Sequence, residues 1–305
     1  MTSYLIKRIS MAILTIFIVA TITFFLMNII PGGPFNSEKS IPQATLDALN
    51  AKYGLDKPLI IQYKNYMINL LHGDMGLSLK QRGRTVSEII FSKFPVSARI
   101  GGISILLALG VGIPLGSVAA LHRGKMLDNV LIFFSTLGIA VPSFVVCVLL
   151  MYLFGMKLGW LPTYGLYSPL SYILPCFALA FYPMSYIARL MRSSMLDVLS
   201  QDYIRTAKAK GVSNRLVLYK HALRNAILPV VTYLGPLLAY TLTGSFVVEK
   251  IFTIPGLGGE FISSITDRDY TLIMGTTIFL ATLIVTMNMV VDILYKFIDP
   301  RIKLK

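Results

Sequence analysis

Charge is scarce in this chain. Only 14% of its 305 residues are Asp, Glu, Lys or Arg, against about 25% in ordinary soluble domains. With 55% hydrophobic residues, that deficit excludes an ordinary soluble domain and indicates a membrane protein. Cysteine is scarce too. Cys147 and Cys176 both fall within or beside apolar stretches, which leaves no disulfide framework and no thiolate metal site and assigns them to packing. The three histidines (His72, His122, His221) are far apart in sequence, and neither HExxH nor CxxC occurs. No GxxxxGK[ST] run is present, so the chain has no phosphate-cradling loop of its own. Acidic residues number 14 against 28 Lys and Arg, a formal net charge of +14. Most of the basic residues lie just outside apolar runs, which favours membrane topology over nucleic-acid binding.

Long apolar runs are abundant. Residues 9–30, 100–121, 130–156, 172–188, 226–248 and 271–291 form six of them, free of charge or nearly so. At about 1.5 Å per residue, twenty such residues cross a hydrocarbon core of about 30 Å. The first run follows Lys7 and Arg8 and ends in Pro31-Gly32-Gly33-Pro34 without a small-residue cleavage site, so a retained first helix is expected, not a signal peptide. Between the first two runs, Pro42 is expected to open a helix carrying Leu46, Leu49 and Tyr53 and closed by Gly54. Pro58 is expected to open a second one with Ile61, Tyr63, Tyr66, Met67 and Leu70. This stretch is expected to form a small folded extracytoplasmic insert; its basic residues carry little topological weight, because the positive-inside rule weakens for loops beyond about 60 residues. Lys7, Arg8, Arg123, Lys125, Arg189, Arg192, the cluster from Arg205 to Arg224, and Lys296, Arg301, Lys303 and Lys305 then share one side. The two short outer loops hold Lys157, Lys250 and Arg268. Both termini are accordingly expected in the cytoplasm.

No ionisable side chain falls near the middle of any run. Ion-driven transporters often place one there, so a self-sufficient ion-coupled transporter is disfavoured. A membrane enzyme is disfavoured by the lack of paired catalytic groups. Uncharged polar residues are present instead: Tyr182, Ser185 and Tyr186 in the fourth run, Thr232, Tyr233, Tyr240, Thr243 and Ser245 in the fifth, and Thr276, Thr277, Thr286 and Asn288 in the sixth. Singly, each serves equally as a helix–helix hydrogen bond or as part of a polar passage. As a set they favour the passage, with Tyr182, Tyr186, Tyr233, Tyr240, Thr243 and Asn288 as its lining candidates. Pro114, Pro142, Pro175, Pro183, Pro229 and Pro236 are expected to break or bend these helices. Asp292, at the inner end of the last run, is expected to pair with Arg189 or Arg192.

The basic stretch from Asp202 to Pro229 stands apart from these runs. A helix is expected from Asp202 to Lys210, ended by Gly211, which takes a left-handed cap conformation cheaply. Ser213 then caps a second helix with Leu216, Tyr219, Leu223 and Ile227 on one face. Small residues at Ala207, Ala209 and Gly211 would let another surface approach closely. By physics alone, anionic lipid and a protein partner are equally suitable counterparts.

These residues resemble the cytoplasmic loop of ABC importer permeases, in which a Glu-Ala-Ala triplet precedes a glycine and an apolar-Leu-Pro follows. Here Arg205, Thr206 and Ala207 hold the triplet positions before Gly211, with Ile227-Leu228-Pro229 downstream. The missing glutamate and the longer interval to Leu228-Pro229 are features of the peptide branch. That branch is also similar in Thr206-Ala207-Lys208-Ala209-Lys210-Gly211 and in His221-Ala222-Leu223-Arg224-Asn225-Ala226. The resemblance continues through Phe24-Phe25, Pro31 to Phe35, Gly73 to Gly76, Phe94 to Arg99, Gly244 to Glu249, Ile254 to Gly258, Arg268-Asp269-Tyr270, Asp292 to Tyr295 and Ile298 to Arg301.

The resemblance implies an all-α membrane protein of six transmembrane helices with the type I ABC importer permease fold. The expected divisions are a first helix (1–30), the extracytoplasmic insert (31–96), a transmembrane domain (97–298) with a coupling loop at about 193–225, and a cytoplasmic tail (299–305). It implies that Asp202, Tyr203, Arg205, Thr206, Ala207, Lys210 and Gly211 couple to an ATPase, and that Glu249, Pro255, Gly256 and Gly258 form an extracytoplasmic gate loop. The implied partners are a second permease subunit, two ATPase subunits that bind ATP-Mg, and an extracytoplasmic peptide-binding protein. The chain itself would bind no cofactor and catalyse no reaction, in the bacterial cytoplasmic membrane. The implied cargo is oligopeptides, with dipeptides or nickel chelates carried by relatives that share the loop.

Overall fold

The computed structural model describes residues 2–29, 33–35, 42–213, 216–242 and 244–298. Among these residues the chain is helical apart from turns, loops and one bridge, Leu77 to Thr85. The first helix, α1, spans Thr2–Ile29. As the prolines anticipate, α2 (Gln43–Tyr53) follows Pro42 and stops at Gly54 with φ +68°, and α3 (Leu59–Leu71) follows Pro58. The expected apolar face of α2 is only half-buried, and no residue of that helix is fully buried. By contrast, α3 packs Tyr63, Tyr66, Met67 and Leu70 onto Phe24 and Met27 of α1 and Ile273 and Met274 near the chain's end.

Next comes α4 (Val86–Leu121), which starts well before its uncharged run because Thr85 and Glu88 form a reciprocal capping box. Then follow α5 (Met126–Ala140), α6 (Ser143–Leu150, continuing π-wound over Met151–Lys157) and α7 (Ile173–Leu199). Beyond them lie α8 (Asp202–Ala209) and α9, π-wound over Val217–Ala222 and α-helical over Leu223–Ala226. The last four are α10 (Leu228–Leu242), α11 (Phe246–Ile251), α12 (Leu257–Thr266) and α13 (Tyr270–Ile298).

The most extensive pairing is α4 against α7. Glycines on α4 make it possible: a Cβ on Gly112 would lie 2.8 Å from Met184 O, and one on Gly116 would press into Ala188 O. Gly101 does the same for α10, where a Cβ would strike Thr241 O. Close backbone approach through small residues is the usual way helices associate in lipid, where burying apolar surface gives little drive. Outside this bundle, α1 and α10 both pack on α13. The outward face of α1 carries exposed Ile13, Phe17, Ile22 and Leu26, as a lipid-facing helix does.

Among the described residues, five stretches are long and apolar enough to cross a membrane, at 6–29, 86–121, 169–199, 228–251 and 270–291. A sixth crossing requires α5 and α6 together, and the path bends by 107° between them. The run at 130–156 is therefore not one straight span. It breaks at Val141–Pro142, because Pro142 donates no N–H to the ladder and its ring excludes continuation. The other prolines do not interrupt a helix: Pro114, Pro183 and Pro236 lie inside continuous helices, and Pro175 and Pro229 sit in first turns. The fifth run is also divided, ending as a long helix at Leu242 before the short α11.

Candidate functional site

At one end of the bundle, α8 lies across the ends of α7 and α9. Ile204 and Ala207 are its buried residues, and they belong to the same apolar cluster as Met191 and Met195 of α7 and Val217 and Ala222 of α9. The small side chain of Ala207 thus serves the chain's own core and not an approaching surface. Asp202, Arg205, Thr206, Lys208, Ala209 and Lys210 face outward. Arg205 lies 3.5 Å from Asp202 with both side chains largely exposed, so the pair contributes little. Tyr203 is turned inward at its tip: Asn225 Nδ2 donates to its hydroxyl at 2.8 Å, tying α8 to α9. Gly211 has φ +78° and no neighbour within 4 Å of an added Cβ. Only backbone conformation, not crowding, requires glycine there. Ser213 Oγ lies 3.5 Å from Leu216 N at the start of the second helix.

At the α5–α6 break lies a cavity of about 440 Å³. Pro142 and Ser143 form one wall, Tyr182 and Pro183 of α7 a second, and Tyr233, Pro236 and Tyr240 of α10 a third. Tyr186 stands behind, its ring 6.4 Å from Tyr182 and 4.5 Å from Tyr233. No charged side chain lines this space. Three of the six expected lining residues, Tyr182, Tyr233 and Tyr240, thus border the cavity, with Tyr186 packed behind two of them. Asn288 is half-buried on α13 and outside the lining, and Thr243 lies outside the described residues. Thr241, in the cavity lining, donates to the carbonyl four residues earlier in its own helix, as Thr232 and Thr276 do in theirs.

At the opposite end of α4 and α10, a loop is wrapped around one carboxylate. Glu249 is 2% exposed. Ser97 Oγ of α4 donates to its Oε1 at 2.7 Å, and Gly259 N donates to its Oε2 at 2.8 Å. Ser97 also accepts from Leu257 N at 2.8 Å, so one hydroxyl fastens both sides of the loop to α4. The glycines are there to admit the carboxylate. A Cβ on Gly244 (φ +92°) would lie 2.6 Å from Oε1, and one on Gly256 would collide with Oε2. A Cβ on Gly258 would meet Phe246 N at 3.0 Å. Thr253, a β-branched residue, is held at φ 52° between α11 and α12, a conformation that persists only where its surroundings over-determine it. Pro255 is exposed on the outer edge.

Two family models cover almost the whole chain. The binding-protein-dependent transport system inner membrane component matches residues 112–304, and the N-terminal component of the same systems matches residues 1–100. The chain belongs to this family. Among its relatives, the dipeptide transport system permease protein DppB of Bacillus subtilis is 47% identical over 304 residues, covering 100% of this chain and 99% of the relative. The oligopeptide transport system permease protein OppB of Haemophilus influenzae is 43% identical over 305 residues, covering 99% and 100%. Among solved structures, an inward-facing MetNI methionine ABC transporter superposes with a TM-score of 0.56 at 15% identity, covering 70% of this chain and 97% of that one. An amino acid ABC transporter solved with histidines gives 0.50 at 18%, covering 71% and 95%. These two show the fold of an importer permease and no more.

Three residues important to this permease's architecture escaped sequence reasoning. Asp128, 1% exposed, receives Arg192 Nε at 2.6 Å and Nη2 at 2.8 Å, and Gly124 N at 2.9 Å. Arg192 thus pairs with Asp128; the side chain of Asp292, expected to pair with Arg189 or Arg192, lies outside the described residues. Ser97 was visible only as part of the Phe94–Arg99 string. Asp269, 1% exposed, accepts from Leu79 N, Lys80 N, Thr271 Oγ1 and Leu272 N at 3.0–3.2 Å, and from Ser78 Oγ. It caps α13 and clamps the chain that follows α3.

Proposed function

We propose that this chain is one of two different permease subunits of an ATP-driven importer that carries short peptides into the cytoplasm. The observation that carries the reading is end-to-end identity of 40–47% with permeases named for dipeptide and oligopeptide transport. The complete assembly would add a second permease, two ATPases binding ATP-Mg and an extracytoplasmic peptide-binding protein. This chain would be the non-enzymatic part, with both termini and α8 in the cytoplasm, and the insert and the Glu249 loop outside.

Mechanically, the exposed face of α8, from Asp202 to Gly211, would rest in an ATPase groove. The geometry supports transmission from there. Ile204 and Ala207 share a core with α7, and the Tyr203–Asn225 bond reaches α9. A pull on α8 when the ATPases close would therefore act on α7 and, through α9, on α10. These two helices carry Tyr182, Tyr186, Tyr233 and Tyr240, so the cavity at the Pro142 break would change shape with them. An uncharged, phenol-lined chamber suits a cargo recognised through its peptide bonds, without demanding one side-chain charge.

Co-reconstitution with the second permease, the ATPases and the binding protein in liposomes tests this reading. ATP-dependent uptake of labelled di- and tripeptides is expected, with none from this chain alone. Uptake by the chain alone without ATP would overturn it. Permeases named for dipeptide transport (47% and 40% identical) and for oligopeptide transport (43%) interleave, so both peptide lengths belong to the reading. Competition with peptides of graded length separates the two.

A further inference from the structure

The long flanking helices α1 and α13 contain no proline, whereas α4, α7 and α10 of the bundle carry Pro114, Pro183 and Pro236 in their interiors. A second proline of α4, Pro95, lies further along towards the Glu249 loop. Each interior proline leaves its helix one ladder hydrogen bond short.

These positions share one height. Pro142, Pro183 and Pro236 all line the tyrosine chamber. On α7, which runs towards α8, Tyr186 lies three residues after Pro183; on α10, which runs away from α9, Tyr233 lies three residues before Pro236. The two rings are 4.5 Å apart, so the two prolines stand level across the chamber. Pro114 falls between Gly112 and Gly116, which press on Met184 and Ala188, about one turn from Pro183.

The apolar core also divides near this height. Leu174, Cys176, Ala178 and Leu179 of α7 pack in one cluster with Cys147 of α6 and Val248 of α11. From Ala180 onward, α7 belongs to a second cluster, with Ala108 of α4, Ile204 of α8 and Val230 of α10. The change comes one turn from Pro183. The broken pair α5–α6 is divided in the same way: α6 belongs to the first cluster, while α5 is held to the later part of α7. Arg192 donates to Asp128 there, and a Cβ on Gly138 would strike Ser185 Oγ.

We propose that Pro114, Pro183 and Pro236 are positioning residues of the transport pathway. With the break at Pro142 they form one hinge level, across which the α8-side body tilts against the Glu249-side body. Tyr186 and Tyr233 move with the first body, and Tyr182 and Tyr240, on the far side of the prolines, with the second. The tilt therefore changes the chamber between the two tyrosine pairs. The role in transport rests on the importer reading above; the bending itself does not involve cargo.

Spin labels at Met126→Cys and Tyr167→Cys in the complete transporter, held in nanodiscs, test the hinge. Both positions are exposed, and the two native cysteines are buried. Met126 opens α5 beside Asp128, and Tyr167 lies in the loop that Gly165 N fastens to Phe252 O. Because both labels sit in one chain, rotation of the whole subunit leaves their separation unchanged. Double electron–electron resonance should show the separation shifting between nucleotide-free and ATP-trapped states, and Pro183→Ala with Pro236→Ala should lose most of that shift. An unchanged separation in the parent would overturn the hinge.

In liposomes the double alanine variant should keep the half-saturating peptide concentration while its maximal ATP-driven uptake falls about tenfold. Its unfolding midpoint should be no lower than the parent's, since the ladder bonds are restored. Pro183→Gly with Pro236→Gly, which keeps both weak points, should transport nearly as the parent does. Parent-like uptake in the alanine variant, or slow uptake with a lowered midpoint, would overturn the positioning role. A parent that bends on ATP trapping but takes up no peptide would count against the importer reading and leave the hinge standing.

Discussion

The two ends of the α4–α7–α10 bundle treat their polar groups in opposite ways. Around Glu249 and Asp269, both nearly inaccessible, every carboxylate oxygen is bonded to hydroxyls or backbone N–H groups. Several of these donors come from segments far away in sequence. Around α8, charges stand in the open: Arg205 is 76% exposed and Asp202, 3.5 Å away, 94%. One end is closed upon itself, its polar groups satisfied from within the chain. The other presents exposed polar surface over a well-packed interior, the contrast expected if α8 is the ATPase-facing helix proposed above.

That contrast can be broken or sharpened by substitution, beginning with its one exception. A half-buried Arg192 pairs with a buried Asp128 at the α8 end, and Arg192→Ala would strand a carboxylate that is 1% exposed. A loss of about 3–5 kcal/mol is expected, read as a large drop in the unfolding midpoint of the protein in lipid nanodiscs. An unchanged midpoint would show that water already reaches Asp128. At the closed end, Glu249→Ala leaves the Ser97 hydroxyl and Gly259 N–H without their acceptor. About 3 kcal/mol should be lost by the same assay, with Ser97→Ala costing less; a variant as stable as the parent would remove the knot from the argument. At the open end, Gly211→Val meets no steric obstacle but must hold φ near +78°. The strain is about 1–2 kcal/mol, small enough for insertion and assembly to survive, while ATP hydrolysis should uncouple from peptide uptake; undiminished uptake would sink the coupling role. Smallest in stability is Arg205→Glu, expected to change the midpoint by less than about 0.5 kcal/mol. Its effect should appear as altered affinity for the ATPase subunits in a pull-down, and a stability loss without a binding change would make α8 a structural helix only.

How much of this was legible in the sequence follows from range. Helix boundaries set by local chemistry were readable: Pro42 and Gly54 bracket α2, Pro58 opens α3, and Gly211 ends the turn after α8. The presence of apolar spans was readable for the same reason. A break or bend at Pro142 was readable from the proline itself, but not its size of 107°, since residues 130–156 are uniformly apolar on both sides of it. Proline marks where a helix is weakened, but surrounding packing decides whether it turns, as the continuous helices through Pro114 and Pro183 demonstrate. Asp128–Arg192 and Ser97–Glu249 join residues 64 and 152 positions apart, and no periodicity encodes such pairings. For Glu249 a signal did exist: the glycines at 244, 256 and 258 around a lone acidic residue, whose lack of side chains now has a cause.

The π winding of Val217–Ala222 has a mechanical consequence. Each N–H in such a turn reaches one residue further back than in an α-helix, so more chain is coiled into less length. In the proposed transport cycle the link between α8 and α10 would therefore contain backlash, in the sense used of gears. A small displacement of α8 would be absorbed by rewinding these residues, and only a larger one would reach α10. Thermal jostling at the docking face would then stay local, whereas a full stroke would not. Shortening this segment by one residue should make the linkage rigid and the transporter less discriminating between the two.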